Sequence, residues 1–178
     1  MTRIVPVALL ACLAFAAGAP AAMAGQVYAN LFMATPDGTG APIGSVIARD
    51  SSSGASLQLR LHGLPPGVHG FHVHHNGSCD AGMKDGMPVL AGKAGGHEDP
   101  DLTGRHRGPT GAGHLGDLPT LTVAPDGTDN EVLIAPRIRE VTSLIGHSLV
   151  IHAGGDTYSD TPDPLGGGGP RIACGVIK

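Results

Sequence analysis

The sequence predicts an all-β domain, an eight-stranded Greek-key barrel or sandwich of the immunoglobulin-like kind, with two long functional loops. Three observations carry this expectation. Short apolar runs recur along the chain, turn residues separate them, and almost no stretch shows helical periodicity.

The first run, Gln26-Val27-Tyr28-Ala29-Asn30-Leu31-Phe32, stops near Pro36-Asp37-Gly38. Residues 43–48 form the second strand and 56–61 the third, where Leu57, Leu59 and Leu61 alternate as on a strand with one buried face. Residues 70–75, 118–123, 131–135, 148–152 and 172–177 complete the set, and Asp126-Gly127 marks a tight turn. Trp is absent and aromatic residues are scarce, so the core falls to Val, Leu and Ile. Residues 76–113 and 153–171, rich in Gly, Pro and Asp, do not fit the strand pattern. Loops of this length in a compact domain are either functional or disordered. The run Gly166-Gly167-Gly168-Gly169 would by itself suit a flexible linker.

Ahead of the first strand, Met1-Thr2-Arg3 leads an apolar run from Ile4 to Phe15 and a small-residue ending, Ala22-Met23-Ala24. This has the form of a secretory signal peptide over residues 1–24, leaving 25–178 as one exported domain, periplasmic or secreted. The apolar run is too short for a convincing membrane span, and no stable membrane association is expected. A lipid anchor on Cys12 is the alternative. The formal net charge is −4, becoming −5 when Arg3 leaves with the leader. No basic patch with interleaved aromatics points to nucleic acid. Cys12 would also leave, so Cys79 and Cys174 remain as one expected disulfide in an oxidising compartment. Such a bond would contribute about 4 kcal/mol in the chain-entropy account.

All ten histidines lie beyond the leader. His72-Val73-His74 on a strand turns two imidazoles to one face, suited to one metal ion, although an isolated pair of this kind equally suits two solvated surface histidines. His152 closes a predicted strand before Gly154-Gly155. The first loop adds Gly95-Gly96-His97, Arg105-His106-Arg107 and His114-Leu115-Gly116-Asp117, the last able to turn a histidine and an aspartate onto one ion.

Together these motifs resemble the copper–zinc superoxide dismutases, especially their bacterial exported branch. The resemblance lies in Gly67-Val68-His69-Gly70-Phe71-His72-Val73-His74 with Gly77-Ser78-Cys79, in Gly95-Gly96-His97-Glu98-Asp99-Pro100, and in Gly113-His114-Leu115-Gly116-Asp117-Leu118-Pro119. Ile151-His152-Ala153-Gly154-Gly155-Asp156 and the tail from Leu165 to Ile177 continue it in the same order. It implies one copper held by His72, His74, His97 and His152, and one zinc held by His97, His106, His114 and Asp117, with His97 shared. The donor chemistry agrees: an all-imidazole site suits copper, and three nitrogens with one carboxylate make a closed zinc site. The implied activity is disproportionation of superoxide to dioxygen and hydrogen peroxide, with copper alternating between Cu(II) and Cu(I).

The resemblance also implies that Asp156 links His72 to His106, with Asp160 and Asp163 as competitors in the same loop. Arg171 matches the arginine beside the copper, and His97 and Arg171 are the residues implied for catalysis. His69 matches a supporting position, buried and bonded to backbone, whereas His62, His75 and His147 match no ligand and read as surface or structural. Lys84 reads as a substrate-guiding cation, with Lys93 as a second candidate. Two departures stand out. His75 occupies a place where relatives often carry an acidic or amide residue and could bind a metal adventitiously, and Thr110-Gly111 lacks the aromatic side chain of some dimeric bacterial relatives, which favours a monomer over a homodimer. The competing class is a non-catalytic copper-binding relative or copper carrier; such proteins typically lack a ligand, the bridging histidine or the arginine, and this chain lacks none of them.

Overall fold

Strict alternation sets the inner face of the sheet. In β1 (Gln26–Thr35) the buried side chains are Val27, Ala29 and Leu31, and in β3 (Gly54–Leu61) they include Leu57, Leu59 and Leu61. β2 (Gly38–Ser51) lies between these two and pairs antiparallel with both. The structure, a computed structural model, describes residues 25–178. The expected signal peptide, residues 1–24 including Cys12, lies outside the described residues.

The remaining strands are β4 (Gly67–His69), β5 (Phe71–His74), β6 (Gly82–Lys84), β7 (Met87–Val89), β8 (Leu121–Val123), β9 (Val132–Ala135), β10 (Ser148–His152) and β11 (Arg171–Val176). Seven of the eleven strands among the described residues form one sheet in the order β5-β10-β11-β1-β2-β3-β9. The pairing of first strand with last, and of β5 with β10, gives the Greek-key crossovers expected. β4 pairs with β8, and bridges between Leu61 and Asp129 and between His72 and Asp117 carry the curl of the sheet around toward closure. The core enclosed is Val, Leu, Ile and Ala with Phe71 as its large aromatic.

Where the strands differ from the sequence reading, backbone partners explain it. The expected strand 70–75 is β5, and β4, which was not expected, precedes it; the break falls at Gly70, whose N–H donates to the Gly154 carbonyl at 2.7 Å, so that β4 faces β8 while β5 faces β10. With β4 and β5 counted as one bent strand, the eight expected strands are present. The expected strand 118–123 shortens to β8 because Leu118 donates instead to Phe71 at 3.3 Å and Pro119 has no N–H to give. β2 runs well beyond residues 43–48, since a strand paired on both sides can carry polar residues. The first long loop holds the β6–β7 hairpin, unforeseen from the sequence. Cys79 and Cys174 are disulfide-bonded with Cα atoms 5.6 Å apart, joining that loop to β11.

Candidate metal centre

β5 and β10 are adjacent, and Val150 pairs with His72. That register brings His72 and His74 on one strand next to His152 at the end of the other, and all three are buried. The first loop returns alongside β5 through a bridge between His74 and His97, adding a fourth imidazole. One ligand atom from each of His72, His74, His97 and His152 falls within 4.8 Å of the others. A second group, His97, His106, His114 and Asp117, meets the same measure, so His97 belongs to both.

The hydrogen bonds decide which nitrogen of each ring is free. His74 donates from Nδ1 to the Gly95 carbonyl at 3.0 Å, and His152 from Nδ1 to the Gly169 carbonyl at 3.1 Å. Both Nε2 atoms are then bare lone pairs, yet they face each other at 3.5 Å. Two bare nitrogens cannot hydrogen-bond to one another; the approach makes sense when both point at a common cation. His72 donates from Nε2 to Asp156 Oδ2 at 2.7 Å, leaving its Nδ1 buried and without a partner. His106 does the same toward Asp156 Oδ1 at 2.7 Å, and its Nδ1 is also buried without a hydrogen bond. Orphaned buried nitrogens are rare in folded proteins, and a metal ion accounts for them.

Around Asp117 the same logic holds. Nδ1 of His97 and of His106 each lie 3.0 Å from Asp117 Oδ1, and Nδ1 of His114 lies 3.3 Å from it. The other carboxylate oxygen accepts from the backbone N–H groups of Arg107 at 3.0 Å and Gly108 at 3.3 Å, which fixes the carboxylate. Three imidazoles and one carboxylate converge, the donor set of a closed zinc site. The four-imidazole group suits copper in both oxidation states.

Electrostatics separates the two groups. Burial holds His72 down at about 3, against the pull of Asp156, and His152 at about 4; His74 and His97 are lowered by burial as well. These rings are neutral near pH 7 and ready to ligate. Burial would also depress His106, but the nearby Asp117 carboxylate and the hydrogen bond that the ring's Nε2 donates to Asp156 carry it to about 9. Burial works against ionisation of Asp117 and Asp156 too, yet their histidine partners hold both carboxyls well below the usual carboxylate range.

The remaining expected site residues fall as follows. Arg171 donates from Nη1 to the Ala91 carbonyl and from Nη2 to the Gly95 carbonyl, each at 2.6 Å. Gly95 thus orients both Arg171 and His74, a role that no side-chain motif could announce. Asp160 accepts from the His106 backbone N–H at 3.0 Å, while Asp163 is exposed. His69 is buried with both ring nitrogens 2.8 Å from carbonyl oxygens, those of His152 and Pro65. Lys84 is exposed on the β6–β7 hairpin, and Lys93 pairs with Asp80 at 3.3 Å. His62 is exposed. His75 and His147, read from the sequence as surface or structural, gather around Glu98.

The Gly166–Gly169 run is no linker. Gly166 has φ of 74°, and a Cβ there would collide with Asp156 Oδ1 and lie 2.8 Å from His106 Nε2. A Cβ on Gly168 would press to 3.1 Å from His152 Cβ. The glycines let the backbone close over the centre.

Comparison with known proteins agrees with this chemistry. Residues 43–177 match the family described as copper/zinc superoxide dismutase (SODC). A Salmonella typhimurium protein named superoxide dismutase [Cu-Zn] 2 is 51% identical over 172 residues, covering 97% of this chain and 95% of that protein. An Escherichia coli superoxide dismutase [Cu-Zn] is 50% identical over 160 residues, covering 90% and 92% respectively. Among solved structures, a Cu/Zn superoxide dismutase from Brucella abortus superposes with a TM-score of 0.85 at 45% identity, covering 86% of this chain and all of that one. A monomeric copper, zinc enzyme from Salmonella enterica gives 0.77 at 49% identity, with the same coverage.

The raised His106 pKa makes a pH prediction. In the metal-free protein this ring is protonated below about 9, and a proton must leave before Nδ1 can ligate. Zinc affinity for the metal-free protein should therefore fall about tenfold for each pH unit below that value. The same proton stabilises the metal-free fold below 6.5, and that contribution is lost as pH rises through about 9. Competition titrations with Zn²⁺ at pH 7, 8 and 9 measure the first effect, and equal affinities at all three would contradict it.

Proposed function

The chain belongs to the copper/zinc superoxide dismutase family, and on that footing we propose that it disproportionates superoxide to dioxygen and hydrogen peroxide with copper at His72, His74, His97 and His152 and zinc at His97, His106, His114 and Asp117. What carries the assignment is the membership of His97 in both clusters. Copper, alternating between Cu(II) and Cu(I), supplies the one-electron chemistry, and zinc is a closed, redox-inert structural ion.

The chain's own residues do the rest. The His97 ring offers Nδ1 to the Asp117 cluster and Nε2 to the His72 cluster. With Nδ1 engaged, Nε2 is the atom at which His97 can hold a proton and deliver it to the reduced oxygen species. The ring does not swing away during that transfer, because Nδ1 stays fixed. Arg171 holds the substrate anion beside the copper ligands: two backbone carbonyls fix its guanidinium, one of them shared with His74. Asp156 is a positioning residue for His72 and His106.

An acidic domain repels an anion at long range, so local cations must guide superoxide inward. Lys84 fits this role better than Lys93, whose charge is partly offset by Asp80. The monomeric state is proposed on the absence of an aromatic hot spot at Thr110 and Gly111, and on likeness to the Salmonella enterica enzyme described as monomeric. Export to the periplasm, with cleavage after Ala24 to leave residues 25–178, is proposed on the form of the leader. Among the described residues no helix is long and apolar enough to cross a membrane.

Two measurements test the reading. Wild-type protein should contain one copper and one zinc per chain and dismutate superoxide, while His97→Ala should lose at least about a hundredfold in rate; fully loaded wild-type protein without activity would sink the assignment. Lys84→Glu should slow association several-fold at low ionic strength, with the difference shrinking as salt screens it. An unchanged low-salt rate would remove Lys84 from the guidance path.

A further inference from the structure

A third set of metal donors lies on the other side of the β5 segment. Antiparallel pairing of β5 with β10 matches Ser148 to His74. One step further, the same register brings His147 opposite His75. Alternation along the chain turns His75 away from the His74 face. The returning first loop is held to β5 by the His75 N–H donating to the Gly96 carbonyl at 3.0 Å and the Glu98 N–H donating to the Val73 carbonyl at 2.9 Å. Glu98 therefore points opposite to its neighbour His97, toward His75 and His147.

The three side chains meet closely. Glu98 Oε2 lies 2.7 Å from His75 Nδ1 and 3.4 Å from His147 Nδ1, and the two imidazole centroids are 5.9 Å apart. One ligand atom from each falls within 4.8 Å of the others, the same measure that both main clusters satisfy. His147 Nδ1 is buried without a hydrogen bond although it faces the carboxylate. His72 Nδ1 and His106 Nδ1 carry that same signature in the main centre. Exposure is graded across the group: the Glu98 side chain is 11% exposed, that of His147 19% and that of His75 68%. One side of the group is walled by protein and the other is open to water.

We propose that His75, Glu98 and His147 form a third metal site, taking a divalent transition ion of the zinc or copper class with water in its open positions. Two imidazoles and one carboxylate are a donor set both ions accept, with Cu²⁺ favoured over Zn²⁺ by intrinsic affinity. Hard ions such as Mg²⁺ and Ca²⁺ prefer oxygen donors and are not expected there. The site ties three segments together: the end of β5, the start of β10, and the loop stretch that carries His97. It shares no ligand with the copper and zinc clusters, so it stands apart from the dismutase assignment.

The test uses full-length exported protein already loaded at its main centre, equilibrated with micromolar Zn²⁺, dialysed against metal-depleted buffer containing the same free Zn²⁺, and analysed for total metal. Wild type should hold three ions per chain and the His75→Ala/His147→Ala double variant two, with dismutase activity retained in the variant. Added Zn²⁺ should also raise the Tm of loaded wild type and leave that of the variant unchanged. Glu98→Gln should bind the third ion at least tenfold more weakly. Two ions in both proteins, or three in both, would overturn the third site. Fewer than two in the variant with three in wild type would point to damage at the main centre, and the Tm comparison at saturating Zn²⁺ then decides: a Zn²⁺-dependent rise in the variant equal to that of wild type overturns the site, and its absence supports it.

Discussion

Asp156 sets one carboxylate between the two metal clusters, its oxygens 2.7 Å from Nε2 of His72 and 2.7 Å from Nε2 of His106. A buried carboxylate without partners would cost several kcal/mol. Here two imidazole N–H groups satisfy it, together with the backbone N–H of Tyr158 at 2.7 Å. The consequence runs in both directions. Each ring is locked with Nε2 on Asp156 and Nδ1 turned inward, and the loop bearing Asp156 is ordered by the rings it binds.

The two rings depend on that link to different degrees. His72 stands on β5, paired on one side with β10, and its backbone direction is set by the sheet. His106 stands in the first long loop, placed by a backbone bond to Asp160, the Asp117 contacts and Asp156. The loop beyond β10 must come close enough to reach both, and Gly166 is where it does so. The disulfide works on the same problem from another side, tying the first loop to β11 next to Arg171. A rigid sheet supplies most of the copper ligands, and cross-links between two loops assemble the zinc ligands.

Much of this was legible from the residues. Alternation in Leu57-Gln58-Leu59-Arg60-Leu61 marks a strand whatever its partners, and His72-Val73-His74 on a strand turns two rings to one face. The pairing of His114 with Asp117 was legible from their spacing, but joining His97 and His106 to them was legible only through resemblance to a family, since loop spacing does not fix long-range convergence. The β6–β7 hairpin carries a local signal only at its turn, Asp85-Gly86 with φ of 53° and 78°; its strands have three residues each and bury neither face, so no alternation marks them. Glu98 with His75 and His147 was invisible for another reason: it needs both the β5–β10 register and the return of the loop, two long-range facts that no local pattern encodes.

The central claim is that one carboxylate organises both clusters and that the loop-borne ring relies on it more. Replacing Asp156 by Leu removes both acceptors, and titration of the metal-free protein with zinc and copper reads the effect at each cluster. The account predicts a loss of about 10- to 100-fold in zinc affinity and a smaller loss for copper. Wild-type affinity for both metals in Asp156→Leu would contradict it.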